Sequence, residues 1–166
     1  MNSIDRILSD REKRFEDLMD LIHYHKKTLI CGRINYPGSD KNNYYALKAF
    51  KYLEKLLDNT FTKKISYKGT RQGYDGPSFI LILDEEDHII KEKAMELEHE
   101  HVLGRVFDID VYTKEGMPLS RLDKNASPRS CVVCGDLVYN CMIMKKHDLH
   151  EVLDSINGLI EDLPHI

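Results

Sequence analysis

Glu98-His99-Glu100-His101-Val102-Leu103-Gly104-Arg105-Val106-Phe107-Asp108-Ile109-Asp110-Val111 decides how this chain is read. From Phe107 to Val111 apolar and acidic residues alternate, the period-two pattern of a half-buried strand. In such a strand Phe107, Ile109 and Val111 point into a core. Asp108 and Asp110 share the other face, about 7 Å apart at about 3.4 Å rise per residue. Two carboxylates side by side repel unless a cation stands between them. Hard carboxylate oxygens suit Mg²⁺, which takes one or two carboxylates and lets substrate phosphates complete its shell. A bare Asp-x-Asp is more often the wet face of a strand. Here His99, His101, Gly104 and Arg105 crowd the approach to it, more than a solvated face needs.

The elements around this strand follow from spacing. Residues 4–26 read as a helix, with Leu8, Phe15, Leu18, Met19 and Ile22 on its apolar face and Arg11, Glu12 and Arg14 on its wetter flank. Residues 28–35 read as a strand ending at the turn Tyr36-Pro37-Gly38-Ser39. A helix follows from about Lys41 to Asp58, then a strand from Phe61 to Tyr67, and a glycine-rich loop from Gly69 to Pro77. Phe79 to Leu83 is an apolar run of strand length, and residues 86–98 form a helix capped by Asp84 or Glu85. Residues 28–113 thus run strand, helix, strand, strand, helix, strand, the order of a split βαβ unit. The predicted fold is α+β: a ferredoxin-like βαββαβ core with an antiparallel sheet and both helices on one face. The opposite face is free for substrate or for flanking segments. A single domain is expected over 1–166: an N-terminal helix (1–27), the α+β core (28–124), and a C-terminal Cys/His segment with a closing helix (125–166).

The chain has 166 residues, 42% of them hydrophobic, which suits one domain with a real core. Its net charge of −4 argues against a general nucleic-acid binder. No apolar run reaches the roughly 18 residues that cross a bilayer, and the N-terminus lacks a signal peptide's apolar centre. A cytoplasmic protein is expected, so its four cysteines are thiols or metal ligands before they are disulfides.

Cys131-x-x-Cys134, Cys141 and His147 give a C-x2-C-x6-C-x5-H series. Cys₃His is a structural zinc set; the alternative is that these thiols are small buried hydrophobes. Pro37-Gly38-Ser39-Asp40-Lys41 stands at a predicted helix start, where free N–H groups, Gly38 and Lys41 would receive an anion. An ordinary capped turn explains the same residues equally well. Arg105, Arg121 and Arg129 could bind phosphate bidentately. His99 and His101 are each a general base, a metal ligand or a satisfied structural histidine.

Taken together, Glu98-His99-x-His101-x-Leu103-Gly104-Arg105-x-x-Asp108-Ile109-Asp110-Val111, Gly116, Ser120-Arg121, Arg129-x-Cys131-x-x-Cys134, Cys141 and His147 resemble one family. It is the citrate lyase holo-acyl-carrier-protein synthases, or apo-citrate lyase phosphoribosyl-dephospho-CoA transferases. Arg11-Glu12-x-Arg14 and Pro37-Gly38-x-x-Lys41 extend the resemblance upstream. The resemblance implies a nucleotidyltransferase. The 2'-(5''-triphosphoribosyl)-3'-dephospho-CoA group passes to a serine of the apo acyl carrier protein (the gamma subunit) of citrate lyase, and diphosphate leaves. Asp108 and Asp110 would hold Mg²⁺; Arg105, with Arg129 or Lys41, would clamp phosphate. His99 or Glu98 would take the serine proton or position the metal. Gly38, Gly104, His101 and Arg121 are the remaining candidate substrate contacts. After Cys141 the family usually continues Ala-Arg; here Met142-Ile143-Met144 stand before Lys145 and Lys146, so an arginine contact is absent or a lysine replaces it. Competing readings are an equivalent transferase for another carrier, such as that of malonate decarboxylase, and a non-enzymatic, zinc-stabilised binding module.

Overall fold

The computed structural model describes residues 2–120 and 128–164. Arg121 and the linker residues 125–127 lie outside them. Helix α1 (Ser3–His25) opens on a reciprocal cap: the Asn2 side chain accepts from the Asp5 N–H while the Asp5 carboxylate accepts from the Asn2 N–H. It ends at Lys26, which adopts a left-handed φ of 54°. Strand β1 (Thr28–Ile34) leads to helix α2 (Tyr44–Phe61), which starts three residues later than its apolar spacing predicts. The reason is local: the Asn43 side chain accepts the Ala46 N–H at 3.1 Å and so fixes the first turn. Strands β2 (Ile65–Arg71) and β3 (Ser78–Leu83), helix α3 (Asp87–Glu100) and strand β4 (Phe107–Tyr112) follow. The short helix α4 (Val138–Ile143) and helix α5 (Leu149–Glu161) close the described chain.

The four strands form one sheet in the order β2-β3-β1-β4, with every neighbouring pair antiparallel. The central strands explain the apolar runs. All six residues of β3 are buried, because the sheet is covered on both faces there. At the edge, β4 alternates as predicted: Phe107, Ile109 and Val111 are buried, while Asp108, Asp110 and Tyr112 are half-buried.

One face carries the larger core. Ile30, Leu81, Leu83, Ile109 and Val111 pack there with Leu53 and Leu57 of α2, Ile90 and Ala94 of α3, and Ile156 and Ile160 of α5. The other face is not left bare. Leu18 and Ile22 of α1 cover Leu29, Cys31, Ile80 and Ile82.

The buried stripe of α1 is Ile7, Asp10, Arg14, Leu18 and Ile22, rotated from the stripe that hydrophobicity predicts. Leu8 and Phe15 stay half exposed, while Arg14 is only 6% exposed. Charged partners in β2 and in the β2–β3 loop overrule the apolar periodicity. They satisfy Asp10 and Arg14 inside the molecule, as buried charges require.

Candidate active site

Antiparallel register assembles the site. Arg33 of β1 lies opposite Asp108 of β4 on one side and beside Ser78 of β3 on the other, all on the face covered by α1. The Arg33 guanidinium donates through Nη2 to Asp108 and, at 3.4 Å, to Asp110. So the cation between the two carboxylates is in the first instance an arginine. One guanidinium against two carboxylates leaves a residual charge of one. Burial, and then the neighbouring Asp108, push the Asp110 carboxyl above its ordinary value against the pull of Arg33 and Lys91. Burial would lower Arg33, but Asp108 and Asp110 outweigh it and hold the guanidinium firmly charged.

The other end of the same guanidinium meets Asp75 in the β2–β3 loop, Nη1 to Oδ2, at 3.2 Å. Arg11 grips Asp75 with both prongs, at 2.9 and 3.1 Å, and Arg14 reaches it at 3.0 Å. Burial alone would raise the Asp75 carboxyl; the Arg11 and Arg14 hydrogen bonds outweigh it and hold it below the usual range. Asp10 accepts the Asp75 N–H at 2.9 Å and pairs with Arg71 at 2.7 Å, and Arg71 also reaches Asp17 at 2.8 Å. Lys41 belongs to the same field. Burial lowers its ammonium, Asp75 opposes this, and Arg11 and Arg33 add to it. Its Nζ donates to the Tyr36 carbonyl. Because α2 begins at Tyr44, Gly38 and Lys41 stand in the turn before the helix and not on its free amides. Gly38 takes a φ of 82° with open space around it.

Six more of the predicted residues gather on the outer side of β4. Glu98, His99, His101, Gly104, Arg105 and Arg129 line a cavity of about 510 Å³ with Val102, Pro128 and Ser130. Most of these groups already have partners. Glu98 is buried, and its Oε1 accepts from the Ile109 N–H at 3.0 Å and from Arg129 at 2.7 Å. Arg129 also donates to the Phe107 carbonyl at 2.6 Å. Arg105 donates to the Cys131 carbonyl. His101 stacks on Phe107 with ring centroids 4.8 Å apart, and its Nδ1 accepts the Leu103 N–H at 3.0 Å. Burial lowers its pKa, which favours the neutral ring. His99, in the last turn of α3, stays exposed. A Cβ on Gly104 would lie 2.1 Å from the Glu98 carbonyl oxygen, so only glycine closes the turn between α3 and β4.

The cysteine series converges. One ligand atom each from Cys131, Cys134, Cys141 and His147 lies within 4.8 Å of the other three. Cys134 and Cys141 sulfurs are 3.5 Å apart, close to the ~3.8 Å that a tetrahedron of ~2.3 Å zinc–sulfur bonds requires. His147 Nε2 is buried with no hydrogen-bond partner among the described residues, an orphan that a metal bond would satisfy. Backbone N–H groups draw down two of the thiols. For Cys131 they outweigh burial; for Cys134 the Asp136 amide acts first. Cys141 is pushed up to about 12 by desolvation and by its two sulfur neighbours. The donor set fits a soft, tetrahedral cation.

Arg33 and Asp75 escape the sequence pattern. An arginine in the same parity as Leu29 and Cys31, inside an otherwise apolar strand, is the one local signal for Arg33. Asp75 has none, since only the fold brings it to α1.

The fold and site define a small α+β protein with a charged cluster at one end of its antiparallel sheet and an acidic pair on the edge strand. A family model described as "CitX: Apo-citrate lyase phosphoribosyl-dephospho-CoA transferase" matches residues 2–163, and the chain belongs to this family of transferases. The apo-citrate lyase phosphoribosyl-dephospho-CoA transferase of Shigella flexneri is 30% identical over 164 residues, covering 97% of this chain and 90% of that one. The Escherichia coli O1:K1 protein of the same description matches to the same extent. "Protein CitXG" of Haemophilus influenzae is 32% identical over 167 residues, and the match spans 35% of that longer chain. No described helix is long and apolar enough to cross a membrane.

Proposed function

We propose that this protein moves the 2'-(5''-triphosphoribosyl)-3'-dephospho-CoA group onto a serine of the apo acyl carrier protein, the gamma subunit of citrate lyase. Diphosphate is released and a phosphodiester remains. The observation that carries the reading is the match of one transferase family over residues 2–163. It favours this reaction over a non-enzymatic binding module. It also favours citrate lyase over another carrier, such as that of malonate decarboxylase, since the relatives are described by their action on apo-citrate lyase.

Asp108 and Asp110 would hold Mg²⁺, since Arg33 neutralises half of their charge and leaves the rest for a cation. Bound there, Mg²⁺ would supply charge neutralisation of the polyphosphate and of the departing diphosphate. The chain's own groups orient the substrates. His99, exposed at the cavity beside β4, would take the proton of the carrier serine, and Glu98 and Arg129 fix the strand that carries the aspartates. Cys131, Cys134, Cys141 and His147 would hold a structural Zn²⁺ in a role separate from the reaction. The core is read as ferredoxin-like, in support of which stand the strand order and the packing of α2 and α3 on one face. The whole chain acts as one cytoplasmic transferase domain.

The test is intact-protein mass spectrometry of the apo carrier incubated with this protein, the triphosphoribosyl-dephospho-CoA precursor and Mg²⁺. A mass gain equal to the precursor minus diphosphate, abolished by EDTA, is the expected result. No gain from a folded sample and a competent carrier would overturn the reaction. A gain on the malonate decarboxylase carrier alone would move it to that partner.

A further inference from the structure

Three guanidiniums converge on one carboxylate around Asp75. Arg11 makes a bidentate pair with it, and Arg14 and Arg33 each add a contact. The neighbouring Arg71 is balanced differently, by two carboxylates of its own, Asp10 and Asp17. Arg33 is shared with Asp108 and Asp110, so the positive charge that Asp75 does not balance lies at Arg11 and Arg14, with Lys41 in their field.

The donors of this group are also not used up. Arg14 Nη1, Arg33 Nε and the hydroxyl of Ser78 are buried without a hydrogen-bond partner among the described residues, and the Arg14 side chain is only 8% exposed. Buried N–H groups on charged side chains are costly when unpaired. A carboxylate offers two oxygens; a chain of phosphates offers many more, spread over a longer reach.

Arg105 and Arg129, outside this cluster, are already engaged. Arg105 is held by the Cys131 carbonyl, and Arg129 by Glu98 and the Phe107 carbonyl. Arg11, by contrast, is 49% exposed in its side chain and lies on the rim. Arg33 touches Asp75 with one nitrogen and the Asp108–Asp110 pair with another. An anion bound at this cluster would thus be one guanidinium away from the acidic pair.

We infer that Arg11, Arg14, Arg33 and Lys41 form a polyphosphate-binding site in which Asp75 is the resident counter-ion that an incoming phosphate chain displaces. The inference rests on the proposed reaction for its substrate, the triphosphate of the donor, but its binding chemistry stands by itself. The site lies under α1, and the phosphate-binding arginines come from α1 and β1 and not from the segment around Arg105 and Arg129.

Inorganic tripolyphosphate is the probe, titrated calorimetrically into the full chain at low salt without metal. Wild-type protein is expected to bind it and to gain melting temperature. Arg11→Gln, at a half-exposed position where the fold is kept, should weaken binding tenfold or more. Asp75→Asn should tighten it several-fold; if that variant is unfolded alone, tripolyphosphate should restore its circular dichroism. Lys51→Gln, on the exposed face of α2, should bind as wild type does. No binding by wild type, or equal binding by wild type and Arg11→Gln, would overturn the inference. The two readings separate cleanly. Arg11-dependent tripolyphosphate binding without carrier modification keeps this site and removes the reaction. Carrier modification by Arg11→Gln with an unchanged KM for the donor keeps the reaction and removes this site.

Discussion

The two sides of β4 carry the same kinds of residue to different ends. On its sheet face, Asp108 and Asp110 share one arginine and remain half-buried, with Asp110 pushed toward protonation. At its outer edge, Glu98 and Arg129 pair with each other and with the strand's own backbone. Both are acid–arginine groups, yet the first keeps an imbalance of charge and the second has none to offer. The difference teaches that an acidic residue in a motif is marked for chemistry by what its partners leave unsatisfied, more than by its type.

The sharpest way to break this comparison is to neutralise one member on each side. Asp108→Asn is expected to lower the transfer rate by roughly a thousandfold, about 4 kcal/mol in the barrier. Its melting temperature should stay within about 4 °C of wild type, since the asparagine keeps an acceptor oxygen for Arg33, and Asp75 and Asp110 remain as its counter-ions. Carrier mass gain against time and a thermal melt decide it; near-normal transfer would remove Asp108 from the site. Arg129→Ala should act in the opposite sense. It removes one charge-assisted hydrogen bond from the buried Glu98 carboxylate and should cost about 2 kcal/mol in urea unfolding. A loss below about 1 kcal/mol would mean that the edge clamp is ornamental.

A smaller and more local effect is expected at the cysteine cluster. The purified protein should carry one equivalent of zinc by plasma mass spectrometry, and Cys134→Ser should lose it. Removing the metal should collapse hydrogen-exchange protection in α4 while β1 and β3 keep theirs, because their core is built without that segment. Uniform loss of protection would show instead that the cluster holds the whole fold.

The smallest effect is the pH dependence of Asp75. Its folded-state pKa is depressed, so its contribution to stability is fully present above the unfolded value, near 3.9. As pH falls below that and through the folded value, the native carboxylate must take up a proton that the unfolded chain has already bound, and the contribution disappears. Urea midpoints between pH 5 and pH 2.5 should fall more steeply for wild type than for a folded Asp75→Asn. Parallel curves would mean that the arginines do not depress this group.

Much of the architecture is legible in the residues. The alternation of Phe107 to Val111 fixes which side of β4 faces the core, and the order of the six core elements follows from spacing alone. The convergence of Cys131, Cys134, Cys141 and His147 is likewise written in their intervals. What is not legible depends on contacts between distant segments. The buried face of α1 looks apolar through Leu8 and Phe15, but Asp75 and Arg71, more than fifty residues away, bury Asp10 and Arg14 instead. Arg33 reads as one more residue of a strand until the antiparallel register sets it against Asp108. His99 and His101 look equivalent in sequence; the end of α3 falls between them, leaving one exposed and stacking the other on Phe107.

The clamp on β4 has a consequence for the protein's life among other chains. β4 is the edge of the sheet, where free amides and carbonyls invite a foreign strand. Four of its outward groups are occupied. The Phe107 N–H donates to the Leu103 carbonyl, the Phe107 carbonyl accepts from Arg129, the Ile109 N–H donates to Glu98, and the Val111 carbonyl accepts from the Leu119 N–H. A stranger arriving at this edge finds a ladder with most of its rungs taken. Glu98→Ala would therefore be seen first by light scattering, as chains adding to one another along an opened border.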